Sequence, residues 1–158
     1  MFKKLLVATD FSEPSDAARR VAGELARRLG AELEIVHVEE PLPAYAFSEG
    51  PLPDLPRLQD EVRSWAEREL EQQAKEARGA VVPVTTAVLL GTPANTIVET
   101  ARSDGADLIV VGSHGRTGLE RVLLGSVAER IVRNAACPVL TVRNIPGAQQ
   151  DAKPKAAA

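Results

Sequence analysis

Four glycines, Gly112, Gly115, Gly118 and Gly125, fall within fourteen positions, and Ser126 follows the last of them. Glycine lets a backbone approach a ligand with no Cβ in the way and take positive φ where a tight turn asks for it. Between a strand and a helix, such a run leaves main-chain N–H groups bare, and the positive end of the helix adds to them. The chemistry this suits is anion binding, with phosphate the obvious anion. Two common phosphate loops are excluded. No Gly-Lys dipeptide occurs, which rules out a Walker A loop, and no Gly-x-Gly occurs, which rules out the dinucleotide fingerprint. On their own terms the glycines could also serve only to end a strand and start a helix.

Other side chains divide in the same way. Asp10 closes the apolar run Leu5-Leu6-Val7-Ala8-Thr9. There it suits either a ligand-facing carboxylate or a turn residue, with Ser12 capping the helix that follows. Arg116 stands beside the glycine turn, where it can pair with a terminal phosphate or stay in solvent. His114 is better placed to order that turn than to act as a general base. His37, inside a strand pattern, reads as a satisfied core or pocket-rim residue, and Trp65 as core. Cys137 has no activating neighbour in the sequence and reads as an inert buried thiol. No nucleophile–base–orienter series and no carboxylate cluster at metal-ligand spacing is present. A single cysteine excludes an internal disulfide and a cysteine-based zinc site.

These residues need elements to hold them. Residues 5–9, 33–38, 81–89, 108–112 and 139–142 read as five strands. Leu108-Ile109-Val110-Val111 is apolar on both faces, as a parallel strand covered by helices above and below must be. Four helical stretches alternate with them. The first carries Ala18, Val21, Ala22, Leu25 and Leu29 on one face and stops at Gly30. The second runs from about Arg57 to Arg78 with Leu58, Val62, Trp65, Ala66, Leu70, Ala74 and Ala77 turned inward. Thr92-Pro93 opens the third, an N-cap followed by proline at the first helical position, and it ends near Gly105. Ser126-Val127-Ala128-Glu129 opens the fourth as a capping box. The alternation predicts an α/β fold, a doubly wound three-layer sandwich around a mainly parallel sheet. From Glu39 to Pro56 the chain holds five of its eleven prolines and reads as a long surface connection, either a lid or simply mobile. The polar stretch from Asn144 onward reads as a disordered tail.

The chain has 158 residues, which suits one domain. Its net charge of −3 argues against a basic face for nucleic acid. An aromatic content of 3% argues against stacking platforms for single strands. The N-terminal apolar run is too short for a signal peptide and stops at Asp10, and no run of eighteen apolar residues occurs. The expectation is a soluble, cytoplasmic protein with no nucleic-acid or membrane partner.

Gly112-x2-Gly115-x9-Gly125-Ser126 matches the Gly-2x-Gly-9x-Gly-Ser/Thr signature of ATP-binding universal stress proteins. The flanks agree: the opening strand with Thr9-Asp10-Phe11-Ser12, then Ile35-Val36-His37-Val38, Gly91-Thr92-Pro93, and Cys137-Pro138-Val139-Leu140-Thr141-Val142 all resemble that family. The resemblance covers residues 1–143 and implies one nucleotide-binding domain with sheet order 3-2-1-4-5. It implies that the aspartate matching Asp10 lies at the nucleoside and that Val38 meets adenine through its backbone. Ala8, Thr9 and Val111 would line the same pocket. Gly112, Gly115, Gly125, Ser126 and Val127 would hold ribose and phosphates chiefly by main-chain amides. The implied ligand is ATP, AMP or another adenine nucleotide, and Mg2+ or Mn2+ would arrive with its phosphates. The implied assembly is a homodimer paired through the edge strand that begins at Pro138 and ends at Val142. The function implied is regulatory, with a slow ATPase or nucleotidyl-transfer enzyme as the alternative and a structural interaction module with an empty crevice as the third reading.

Overall fold

The computed structural model describes residues 2–41, 54–77, 83–113 and 124–143. In these residues five strands alternate with four helices: β1 (Lys4–Ala8), α1 (Glu13–Leu29), β2 (Glu32–Glu39), α2 (Leu55–Ala77), β3 (Val84–Leu90), α3 (Pro93–Ser103), β4 (Leu108–Gly112), α4 (Ser126–Asn134) and β5 (Val139–Val142). The strands form one sheet in the order β3-β2-β1-β4-β5. Every neighbouring pair is parallel. The α/β doubly wound fold read from the alternation is therefore the fold observed, with the order that the family resemblance implied.

Alternation along each strand splits the core in two. Leu5, Val7, Leu33, Ile35, Leu108 and Val110 face Ala18, Ala22 and Ala26 of α1 and Leu70 and Ala74 of α2. Leu6, Val36, Ile109 and Val111 face Ala94, Ile97 and Ala101 of α3 and Ala128 and Ile131 of α4. Small alanines on the inner faces of α1 and α3 let those helices lie close on the sheet. Arg19, almost wholly buried, ion-pairs with Asp16 on its own helix and with Glu76 at 2.7 Å on α2, tying the two helices together.

Several local readings need correction. Trp65 is 42% exposed and not a core residue, and Val62 is equally exposed. The buried stripe of α2 is Ala66, Leu70 and Ala74, whereas Val62 nearer its start lines a cavity with Val38 and Glu39. The helix also starts two residues before Arg57, because Pro56 falls in its first turn, where a missing N–H costs nothing. Thr92 occupies the N-cap of α3 but makes no side-chain cap bond. That helix runs to Ser103 with Asp104 as its C-cap, and so ends near Gly105, at φ 68°, as expected. Gly30 is the left-handed C-cap expected for α1. Parts of the proline-rich connection (residues 42–53), residues 78–82, residues 114–123 and the tail from residue 144 lie outside the described residues.

Candidate functional site

Sheet order makes β1 and β4 neighbours whose following helices lie on opposite faces, and ligands of open α/β sheets bind at such a point beyond the carboxyl ends of the strands. A cavity of about 500 Å³ lies there. Ala8, Thr9, Asp10, Val38, Val111, Gly112, Gly125, Ser126 and Val127 all line it. Gly115 and Arg116, the other two positions singled out in the sequence, and His114 lie outside the described residues.

The Asp10 side of the cavity is built from short polar links. Asp10 Oδ1 accepts the Ser12 N–H at 3.1 Å and the Ser12 hydroxyl. Asp10 thus acts as a turn residue and lines the cavity at once. Thr9 Oγ1 accepts the Phe11 N–H at 3.1 Å and lies 3.2 Å from Ser15 Oγ, so this hydroxyl braces the turn. Phe11 takes a left-handed φ of 62°, uncommon for a bulky side chain. That conformation swings its ring onto His37 and Trp65, at centroid distances of 4.4 and 4.9 Å. His37 Nδ1 donates to the Thr9 carbonyl at 2.8 Å, which fixes the imidazole between β1 and β2. It is buried and lines the cavity, as a satisfied pocket-rim histidine should.

The opposite side differs in kind. Gly125, at φ −67° and ψ 153°, is the N-cap of α4, and the helix has no side-chain cap. The capping box expected at Ser126 does not form: Ser126 is the first helical residue, and Glu129 sits one position too late to reach back to the cap. A glycine cap brings no side chain to the first-turn amides, which have no intrahelical partner. Those amides belong to Ser126, Val127 and Ala128, and all three residues line the cavity. The Gly125 N–H itself is held at 2.7 Å by the Ser113 carbonyl, locking the helix start against the end of β4.

Gly112 lines the cavity and also answers to packing. A Cβ at this position would lie 2.9 Å from the Pro14 carbonyl oxygen and 3.1 Å from the Ser15 nitrogen. The glycine is demanded by the backbone of α1 pressed against β4, quite apart from any ligand. Gly125 has a φ that any residue can adopt, so its lack of a side chain matters for the space and amides it leaves open.

Glu39, Glu40 and Val62 line the cavity too, and no sequence motif marks them. The two glutamates could have been found as strand-end residues beside Val38; Val62 could not, since its place depends on how α2 packs. Cys137 is half-buried and burial pushes its thiol up, against the pull of the Ile109 and its own backbone N–H groups. Little thiolate is available there. Among the described residues, no group of three His, Cys, Asp or Glu side chains could hold a metal ion. Nor is any helix among them long and apolar enough to cross a membrane.

Comparison with known proteins places this geometry. The model of the "Universal stress protein family" matches residues 1–143. The universal stress protein MJ0531 of Methanocaldococcus jannaschii is 40% identical over 144 residues, covering 90% of this chain and 83% of the relative. The solved structure of the protein MJ0577, from the same organism, superposes with a TM-score of 0.80 at 30% identity, over 92% of this chain and 98% of that one. A universal stress protein solved in complex with cAMP superposes with a TM-score of 0.65 at 31% identity, over 89% of this chain and 97% of that one.

Proposed function

The chain belongs to the universal stress protein family, and from that premise we propose that it binds an adenine nucleotide in the switch-point cavity and acts as a regulatory protein through the occupancy of that site. The observation that carries this reading is the uncapped start of α4 opening onto a cavity of about 500 Å³ with Asp10 on its far wall. That volume lies within the usual range for small-molecule pockets, roughly 300–1,000 Å³. Main-chain amides at a helix N-terminus suit phosphate, because N–H groups and the helix dipole point the same way. The relative solved with cAMP supports an adenine nucleotide as the ligand class.

In this reading the ligand's phosphates meet the amides of Ser126 and Val127, and its nucleoside lies toward Asp10 and Val38. Gly115 and Arg116 complete the phosphate turn, and Mg2+ or Mn2+ comes with the phosphates. The site works by binding, not turnover: the Thr9 hydroxyl is spent bracing the turn, and Asp10 takes two hydrogen bonds from Ser12. The nucleotide-binding domain spans residues 1–143, and the protein acts in the cytoplasm. β5 sits at the sheet edge with all four residues half-buried. Pairing with the β5 of a second copy from Pro138 to Val142 would cover that edge and give a twofold homodimer.

Thermal shift against ATP, AMP and cAMP tests the reading. Ligand at a hundredfold excess over its Kd should add about 2.7 kcal/mol to stability. No shift with any of the three would refute it, and phosphate release at about one per second or faster would refute the binding-only role. Light scattering at micromolar concentration should give twice the monomer mass.

A further inference from the structure

The sheet has two edges, and β3 forms the one opposite β5. Its ladder with β2 fixes which main-chain groups look outward. The Pro83 carbonyl accepts the Leu33 N–H at 2.9 Å, and the Gly91 N–H donates to the Glu39 carbonyl at 2.9 Å. With the unbroken parallel register between them, Pro83, Thr85, Ala87, Leu89 and Gly91 carry the bonds to β2. The N–H and C=O groups of Val84, Thr86, Val88 and Leu90 therefore point away from the sheet. Among the described residues only one side chain answers them: the Arg63 guanidinium of α2 donates to the Val88 carbonyl at 3.3 Å. Edge strands are commonly blunted by charges, prolines or bulges. β3, Val-Thr-Thr-Ala-Val-Leu-Leu, has no charge and no proline, and Leu90 is 61% exposed.

A cavity of about 190 Å³ lies at the end of this edge, where Leu90 and Val62 meet Glu39, Glu40, Asp60 and Arg63. Three carboxylates there face one guanidinium. Arg63 is already held by Glu67 at 3.2 Å and by the Val88 carbonyl, and Arg57 and Glu61 nearby pair with each other at 3.1 Å. Glu40 and Asp60 are exposed and have no partner among the described residues. Glu39 Oε1 is buried, so that carboxylate adds charge to the cavity without offering this oxygen. The balance is negative, which favours a cationic occupant and repels an acidic one. We propose that the β3 edge is a docking surface for an extended basic segment of another protein. Its main chain adds a strand along Val84, Thr86, Val88 and Leu90, and a lysine or arginine side chain passes Leu90 into the cavity toward Glu40 and Asp60. Docking exchanges the Arg63 bond at Val88 for a main-chain one.

The test measures, by fluorescence anisotropy on the whole chain, the Kd of a synthetic peptide as long as β3, alternating threonine and valine with lysine at each end. Two further peptides carry glutamate in place of lysine, or N-methyl groups on the amides. The lysine peptide should bind about tenfold tighter than either. Thr86→Pro removes an outward N–H and leaves the β2 ladder whole, so the fold should stand and affinity fall about tenfold. Asp60→Lys should bring the lysine and glutamate peptides to about equal affinity, and it serves if the proline variant does not fold. Equal binding of the N-methylated peptide, unchanged affinity in both variants, or no binding of the lysine peptide to the wild type overturns the proposal. Assembly beyond a dimer that Thr86→Pro abolishes overturns it too, because the edge then belongs to a second copy. Nucleotide binding is read separately by thermal shift, and none of these outcomes alters it.

Discussion

The two helix starts that flank the crevice, α1 after β1 and α4 after β4, solve the same electrostatic problem in opposite ways. α1 is closed from within. Ser12 takes the N-cap, its oxygen accepts the Ser15 N–H at 3.5 Å, and Glu13 and Asp16 place carboxylates in the first turn. Its carbonyl holds the Ser15 hydroxyl at 2.8 Å, and its own N–H and O–H go to Asp10. α4 has Gly125 at the cap, no side-chain bond, and no carboxylate before Glu129. A helix start satisfied by its own residues is a structural joint. One left open beside a cavity has amides to spare for an anion. The glycines obey the same division: Gly112 lets α1 touch β4, whereas Gly125 leaves room at α4.

The contrast can be broken most severely at the joint. Gly112→Val forces a side chain into the Pro14 backbone and should cost about 3 kcal/mol of stability, read by urea unfolding. Next comes closure of the open end. Gly125→Asp gives α4 the cap that α1 has, so its melting temperature should hold or rise by the equivalent of a few tenths of a kcal/mol. Nucleotide affinity should drop on the order of 30–100-fold, since a competing carboxylate takes the amides and repels phosphate. Equal affinity in that variant would sink the division between the two ends. Ser12→Ala, at the closed end, should lose about 1 kcal/mol of stability in chemical denaturation and change nucleotide affinity far less than the cap at α4 does.

The smallest effect is a pH dependence along α1. Hydrogen bonds from Arg27 and then Arg28 hold the Glu24 carboxyl down to about 2 from 4.5. A depressed folded-state value means stability that is present above pH 4.5 and lost as the pH falls toward 2. Because the group is on the surface, the slope in a melting-temperature scan should be slight, and 0.5 M salt should flatten it.

How far the sequence carried varies with the range of the interaction involved. Strand order aside, the sandwich was readable because Leu108-Ile109-Val110-Val111 and the Ala18–Leu29 stripe encode their periods locally. The family resemblance supplied the order. The start of α4 was misread by one residue, since Ser126-x-x-Glu129 has capping-box chemistry and only the backbone angles reveal that Gly125 holds the cap. Trp65 fits a helical stripe, but its exposure depends on where α2 crosses the strand ends, a long-range fact. Glu39 carries no local signal in the sequence, because the burial of its Oε1 is set by the fold around the end of β2. For the site, nine positions gather at the cavity, and Gly115 and Arg116 fall outside the described residues.

The contacting rings of His37, Phe11 and Trp65, tilted in the first pair and edge-to-face in the second, run from the cavity wall to the surface, and Trp65 is the only tryptophan in the chain. The molecule therefore carries its own fluorophore, one contact from the residue next to Asp10. Filling the crevice should alter indole emission without any label, which makes stopped-flow measurement of ligand arrival and departure feasible on the unmodified polypeptide.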